Sequence, residues 1–502
     1  MHKGGVVKHL AVSGSVLALA LGSVPAHADT LQEALTDAYV NNPTLEAARA
    51  NQRANDENVQ IQRAQGLPSV TGSANYTEVL RQNNTNFFNP SRILTAGADL
   101  GVPIYSGGAV RNGVKAAKDR VEAGRADLRG LESAIFSQVV AAYMDVLRGQ
   151  ALVALSTNQV DVLSVNVEAT SDRFEIGDLT RTDVAQSESR LALARGDLRS
   201  AEANLISARE TYIALTGGAP DDLQPPPPLP GLPASADMAV DIALDNNPDI
   251  IAARERASAA RSDVEVAGAG RLPTVSVFAG YDYQNALGSI PDIPADPNVP
   301  GSQPIPVDQT ATGAQAGVSL RVPIFQGGLP AARQRQANAR ATAALEDVIA
   351  AERDVIAQTR AAYSSWQASL AIIESSQAAV DAATLSLEGV RAENSIGNRT
   401  ILDVLNAEQE LLSSRVQLVT ARRNAYVAGF SLLAAMGRAE ARDLGLGDEG
   451  VLYNPLDNYN RVSGSIWDWG RDPEPEARST STADIPAQTA DIPAIEDREE
   501  SP

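Results

Sequence analysis

Two periodicities alternate along the chain, and each occurs twice. From Val275, the residues Val275, Val277, Ala279, Tyr281 and Tyr283 alternate with Ser276, Gly280, Asp282 and Gln284, the period of two expected of a strand, with Phe278 breaking the pattern. Ala316, Val318, Leu320, Val322 and Ile324 repeat the alternation. Weaker copies run from about Val70 to Val79 and from Thr95 to Tyr105, where Ala96, Ala98, Leu100, Val102 and Ile104 share one face. After each second strand a Gly-Gly pair ends the alternation and helical spacing begins. Leu128, Leu131, Ile135, Val139, Ala142 and Val146 fall three and four apart, and Val348, Val355, Ala362, Trp366 and Ile373 repeat that stripe. Almost nothing between Gly108 and Gly177 stops a helix, so the spacing predicts a rod on the order of 100 Å long. Thr30 to Gly66 and Thr180 to Thr216 read as helices about half as long, which end to end match one long one.

The chain is a tandem duplication. Asn41-Asn42-Pro43 returns as Asn246-Asn247-Pro248, Leu67-Pro68 as Leu272-Pro273 and Tyr76 as Tyr281. Further on, Val102-Pro103-Ile104-Tyr105 with Gly107-Gly108 returns as Val322-Pro323-Ile324-Phe325 with Gly327-Gly328. The later spacing persists through Ala141-Ala142-Tyr143 and Ala361-Ala362-Tyr363, Gly177 and Gly397, Asp183 and Asp403, and Gly217 and Gly437. The change in spacing falls inside a Pro-rich loop between Gly288 and Thr310. Each repeat therefore reads as helix, strand, loop, strand, long helix, tight turn, helix.

Residues 1–28 have the form of a secretory leader: Lys3 and Lys8, an apolar run from Leu10 to Leu21, then Ala26-His27-Ala28, with cleavage expected after Ala28. The run is shorter than the roughly 20 residues of a spanning helix, and no later segment reads as long and apolar enough. Repeat 1 occupies residues 29–217, a Pro-rich linker 218–236, repeat 2 residues 237–437. Residues 438–502 form an acidic tail with 15 acidic and 6 basic residues, expected to be a partly ordered belt followed by disorder.

Composition narrows the chemistry. There is no cysteine, so no disulfide, thiol nucleophile or lipid-accepting residue, and His2, His9 and His27 all lie in the leader. The mature chain has no imidazole for acid–base work or metal ligation, which speaks against an enzyme, and neither a metal nor a cofactor is expected. A net charge of −21 argues against nucleic acid as partner. Without apolar spanning helices, a bilayer is crossed only as a closed β-barrel. Four strands cannot close one, so a chain that spans a membrane this way must oligomerise, and a cyclic trimer would supply twelve strands with its helices continuing as a tube. Exported and without a lipid-accepting cysteine, such a chain belongs in a Gram-negative outer membrane.

Arg173-Phe174-Glu175-Ile176-Gly177, Thr182-Asp183-Val184 and the segment Ile396-Gly397-Asn398-Arg399-Thr400-Ile401-Leu402-Asp403-Val404-Leu405, together with Asn-Asn-Pro, Leu-Pro and Val-Pro-Ile-aromatic-x-Gly-Gly, resemble TolC-type outer-membrane proteins from about Leu31 to Gly437. The resemblance implies a mainly α fold with β: as a homotrimer, a 12-stranded β-barrel in outer-membrane lipid, continuous with a long periplasmic α-barrel that tapers to a closed tip. It implies a passive duct joined to a periplasmic adaptor (membrane fusion protein) and an inner-membrane ABC transporter or proton-driven pump. Within the family, the missing lipid-accepting cysteine and the turn details resemble the ducts of type I protein secretion, which also serve drug efflux. By similarity, Asp183 and Arg399 hold the tip shut and Asp403 forms an acidic ring. Asn394 stands where an aromatic linking residue is often found, and Asn406 where a second acidic ring is often found. Gly177 and Gly397 mark turns where the family places adaptor grooves, and helix C-capping alone also accounts for glycine there. Rival readings are a duct for drug efflux only and a periplasmic coiled-coil adaptor or scaffold with no pore.

Overall fold

The structure, a computed structural model, describes residues 30–81, 89–446 and 452–492; the leader lies outside the described residues. In chain order the elements are α1 (Leu31–Asn41), α2 (Pro43–Ala64), β1 (Ser69–Glu78), β2 (Arg92–Tyr105), α3 (Ala109–Glu175), α4 (Arg181–Thr216), α5 (Ala236–Asn246) and α6 (Pro248–Ala269). They continue with β3 (Thr274–Asn285), β4 (Thr310–Arg321), α7 (Leu329–Ser395), α8 (Ile401–Ala435) and α9 (Pro455–Val462).

The first half-length helical segment and its copy in the second repeat are each broken, whereas α4 runs without a break. At Asn42 the backbone turns extended, its side chain accepts from the Thr44 and Leu45 amides, and Pro43 starts a new helix at N1. Asn247 and Pro248 do the same in the second repeat, with the Asp249 amide as donor. The Asn42 and Asn247 amide groups also donate to Leu215 O and Ala435 O, so each break is tied to the end of its own repeat.

The strands form one antiparallel sheet in the order β1-β2-β3-β4. Register aligns Val70, Leu100, Ala279 and Ala316 across all four strands, with Val102, Val277 and Val318 in the next row, so one face is continuously apolar. The other face carries Thr71, Asp99, Gly280 and Gln315 in a row. Phe278, the misfit in the alternation, lies between Gly101 and Gly317, and a Cβ on Gly317 would stand 2.8 Å from its ring. The glycine leaves the space that the aromatic ring occupies. One expectation changes here. β4 stops at Arg321, leaving Val322 and Ile324 beyond it, whereas its counterpart β2 continues to Tyr105 through a register shift at Pro103 because β3 pairs with it there.

α3 and α7 are each 67 residues long, on the order of 100 Å. α2 and α4 pack on α3 from the same repeat: Val59 meets Ala117 and Val121, and Leu205 packs directly over Gly149. One 18-residue stretch of α3 reaches a mean hydropathy of 1.3, which corrects the expectation that nothing after the leader is apolar enough to span a membrane. The apolar middle of α3 instead centres the main core. Ile135, Phe136, Val139, Tyr143 and Val146 are buried among Tyr39, Leu45, Leu205, Tyr212, Phe430 and Leu433, at the level where α1 lies.

The linker after α4 is held by tyrosines. Tyr143 and its repeat counterpart Tyr363 donate to the carbonyls of Gln224 and Ala234, at 2.6 and 3.0 Å, and Tyr426 donates to Pro227 O. Residues 438–446 fold onto α3, where Glu132 accepts from the Ala441 amide and Arg129 pairs with Glu440. The tail over 452–492 runs along α2 and then α4; residues 447–451 and 493–502 lie outside the described residues.

Candidate functional site

At the end of the molecule farthest from the sheet, two helix pairs turn back on themselves with the same chemistry. Ile176 caps α3 and Gly177 takes a φ of 83°; the Gly177 amide donates to Phe174 O and the Asp178 amide to Arg173 O, the pattern of a glycine-terminated helix. Gly397 has the same φ and closes α7 in the same way, through Gly397 N to Asn394 O and Asn398 N to Glu393 O. Both glycines stand open, with no atom within 4 Å of where a Cβ would sit.

The next helix of each pair begins with a reciprocal cap. Thr180 accepts from the Asp183 amide while the Asp183 carboxylate accepts from the Thr180 amide and hydroxyl, at 2.9 and 2.7 Å. Thr400 and Asp403 repeat this at 2.9 and 2.8 Å. Hydrogen bonding to Thr180 holds the Asp183 carboxyl below the usual carboxylate range, and the Thr400 amide and hydroxyl do the same for Asp403. Both acids thus have a helix-capping role that the sequence reading did not include.

Arg399 pairs with Glu393 at 2.7 Å across its own turn, and Asn394 donates to Arg399 O, also at 2.7 Å. Among the described residues, no hydrogen bond or ion pair joins Asp183 to Arg399 within one chain. Asn406 does cross between the pairs: its side-chain oxygen accepts from Arg190 of α4 at 3.0 Å.

A second crossing is buried. The Glu408 carboxylate, 3% exposed, accepts from the Asn166 amide group at 3.2 and 3.0 Å and pairs with Arg391 at 3.0 Å. It therefore ties α3 of the first repeat to α7 and α8 of the second. The sequence carried a signal for it: Glu408 interrupts the apolar stripe of Val404, Leu405, Leu411 and Leu418, all buried. A buried carboxylate on such a stripe requires partners, and these two supply them.

This tip holds salt bridges and caps rather than a nucleophile beside a base, and no group of His, Cys, Asp or Glu suited to a metal ion exists among the described residues. The architecture is that of one segment of a wall: an amphipathic sheet open at both edges, continued by long helix pairs. The chain belongs to the outer membrane efflux protein family, whose pattern matches residues 34–218 and 239–438. It is 32% identical over 451 residues to the outer membrane efflux protein BepC of Brucella suis, covering 90% of this chain and 93% of that one. It is 25% identical over 421 residues to the outer membrane protein TolC of Vibrio cholerae, covering 83% of this chain and 92% of the other. Among solved structures, the outer membrane protein VceC of Vibrio cholerae superposes with a TM-score of 0.67 at 22% identity, over 81% of this chain and 96% of that chain. The fold is therefore that of TolC-type channels and the protein resides in the outer membrane, which sets the scaffold reading aside.

Proposed function

We propose that this chain is one third of a homotrimeric exit duct in a tripartite export system, receiving cargo from an inner-membrane pump through a periplasmic adaptor. The observation that carries the reading is an asymmetry between two helices of equal length. α3 has buried residues along its whole length, from Gly113 to Thr170, whereas α7 buries only Ala341, Val355, Thr359, Ser376, Ala383 and Leu387. α7 leaves Leu345, Ile349, Leu370, Ile372 and Leu385 exposed. It forms an edge of the protomer, as β1 and β4 form edges of the sheet. Unpaired strand edges and exposed apolar residues on a helix both require a neighbour, and the opposite edge offers Ile61 and Leu193. Three copies close twelve strands.

In this trimer the tips converge, so that Asp183 and Arg399 meet across copies and Asp403 forms the constricting ring, with Asn394 and Asn406 loosening the closure. Gly177 and Gly397 border the grooves taken by the adaptor. Native mass measurement with single-channel recording in planar bilayers tests the reading: a trimer of small, discrete conductance supports it, and a water-soluble monomer without conductance overturns it.

The cargo is either secreted protein, handled with an ABC transporter, or small toxic compounds, handled by that or a proton-driven pump. The relative at 32% identity is named an efflux protein, which favours small compounds. Deleting the gene and measuring both drug susceptibility and secreted protein separates the two.

A further inference from the structure

The tail contains a feature that the duct itself does not use. From Tyr453 onward the chain climbs α2 towards the sheet, and each contact is farther along. The Tyr453 amide donates to Tyr39 Oη, Asn458 to Asp56 at 2.8 Å, Gln60 to Val462 O at 2.8 Å, and Arg63 to Ser463 O at 2.5 Å. The tail then turns back. Thr480 lies beside Gly217 at the end of α4, and Arg209, about two turns down α4, donates to Thr489 O and to Asp491 O. Residues 464–471 are therefore the apex of a strap, at the end nearest the sheet.

That apex is built as a closed loop. Arg461 and Asp472 join its two feet through a two-pronged pair, 2.9 and 3.2 Å, and turns at Ser465 and Gly470 shape it. Its tip is Ile466-Trp467-Asp468-Trp469, with the three apolar side chains 78, 73 and 80% exposed. Three large exposed apolar side chains within four residues mark an interaction surface.

The neighbouring surface identifies the occupant. Arg63 is six residues before Ser69, the first residue of β1, a contour of at most about 20 Å, and the four residues from Ser463 to Trp467 reach about 13 Å. At this end of the sheet the rim is itself apolar and exposed: Ile104, Tyr105, Ile324 and Phe325. Tryptophan prefers the boundary between hydrocarbon and headgroups, where the ring lies in apolar surroundings and the indole N–H stays hydrated.

We propose that residues 466–469 dip into the periplasmic leaflet of the outer membrane and anchor the tail to lipid, continuing the barrel's aromatic rim outside its wall. The inference rests on the outer-membrane placement of the barrel and goes beyond it by assigning a lipid contact to the tail.

Trp366 makes the test direct, because it lies 37 residues beyond the start of α7, about 55 Å from the sheet. The full-length protein is reconstituted into dioleoylphosphatidylcholine vesicles and into vesicles whose acyl chains are brominated close to the headgroup. Tryptophan emission is expected to fall by about half in the brominated lipid. W467F/W469F, which keeps apolar rings in the loop and leaves only Trp366 to emit, is expected to show no fall. Equal wild-type emission in both lipids, from vesicles that conduct, overturns the anchor. If that emission is also blue-shifted, the loop is covered by a second copy instead, which overturns the lipid assignment too. Failure of the protein to co-float with vesicles or conduct overturns the barrel's placement, a result distinct from conduction without quenching.

Discussion

Glu408→Ala tests whether the buried crossing between repeats helps hold the tip closed. The substitution removes the acceptor for Asn166 and for Arg391. A hydrogen bond to a charged group contributes about 1.5–3 kcal/mol, counted once because both oxygens share a single amide group. Arg391 is half exposed, so its ion pair adds no more than about 1 kcal/mol. The crossing thus contributes about 2–4 kcal/mol. If it is present in the closed tip and broken in the open one, losing even 2 kcal/mol raises the open-to-closed ratio about 30-fold. Open probability and mean conductance in planar bilayers are expected to rise for E408A. Glu408→Gln should lie between, since its amide oxygen still accepts from Asn166 while the ion pair is lost, and Arg391→Ala should have the smallest effect. Wild-type conductance from an E408A protein with native helical content would refute the reasoning, because the tie would then be unconnected to opening.

Further outcomes follow from the same geometry. Asp403→Asn keeps an oxygen for the Thr400 cap and removes the charge, so block by multivalent cations is expected to weaken with only a small loss of thermal stability; unchanged block places Asp403 away from the constriction. Arg399→Ser and Asp183→Ala should each raise conductance, whereas Thr180→Ala, which costs about 1 kcal/mol of capping but leaves the acid, should not. Burial pushes the Glu132 carboxyl up to about 7, with the Glu440 carboxylate adding to the rise. Between its ordinary value and about 7 the folded chain therefore holds a proton that the unfolded chain has lost, and stability should fall as pH rises through that window, by about 3 kcal/mol. Thermal melts of Glu132→Gln across the same range should be flatter; identical pH dependence refutes this. Gly437→Ala sets a Cβ 2.5 Å from Asn246 O at a φ of 70° and should cost about 1–3 kcal/mol in chemical denaturation.

The elements readable in the sequence were those whose residues face one environment along their whole length. The apolar rows of the sheet, the stripe from Leu128 to Val146 and the glycines that close α3 and α7 all carry their structural reason in residue type and spacing. The breaks at Asn42 and Asn247 were harder, because apolar residues continue on both sides and only a side-chain cap interrupts the helix. The course of the tail left no pattern, since α2 and α4 hold it through backbone carbonyls at Val462, Ser463 and Thr489, which any residue supplies. At the tip, the family motif pointed to Asp183 and Asp403, and capping chemistry explains those positions as well. The spacing of α8 marks Glu408 as a carboxylate on an apolar stripe, but its partner on α3 belongs to the other repeat, a contact that this spacing does not reveal.

Duplication gives a protomer two copies of one unit, but the copies meet different neighbours. α3 lies between elements of its own repeat and α6 and α8 of the second; α7 has α5, α6 and α8 and then an exposed side. In the proposed ring, a neighbouring copy's first repeat would cover that side, so each α7 would regain surroundings like those of α3. Equivalence is then restored by oligomerisation rather than by the fold of one chain. The tie at Glu408 departs from this symmetry. Its counterpart in the first repeat, Glu188, is exposed, and the positions matching Asn166 and Arg391 are Ser386 and Ser171. Because serines replace both partners of the carboxylate, the tie falls only at the junction inside each protomer. In the trimer, then, three internal junctions would carry this fastening and three junctions between chains would not, so opening of the tip should begin between chains.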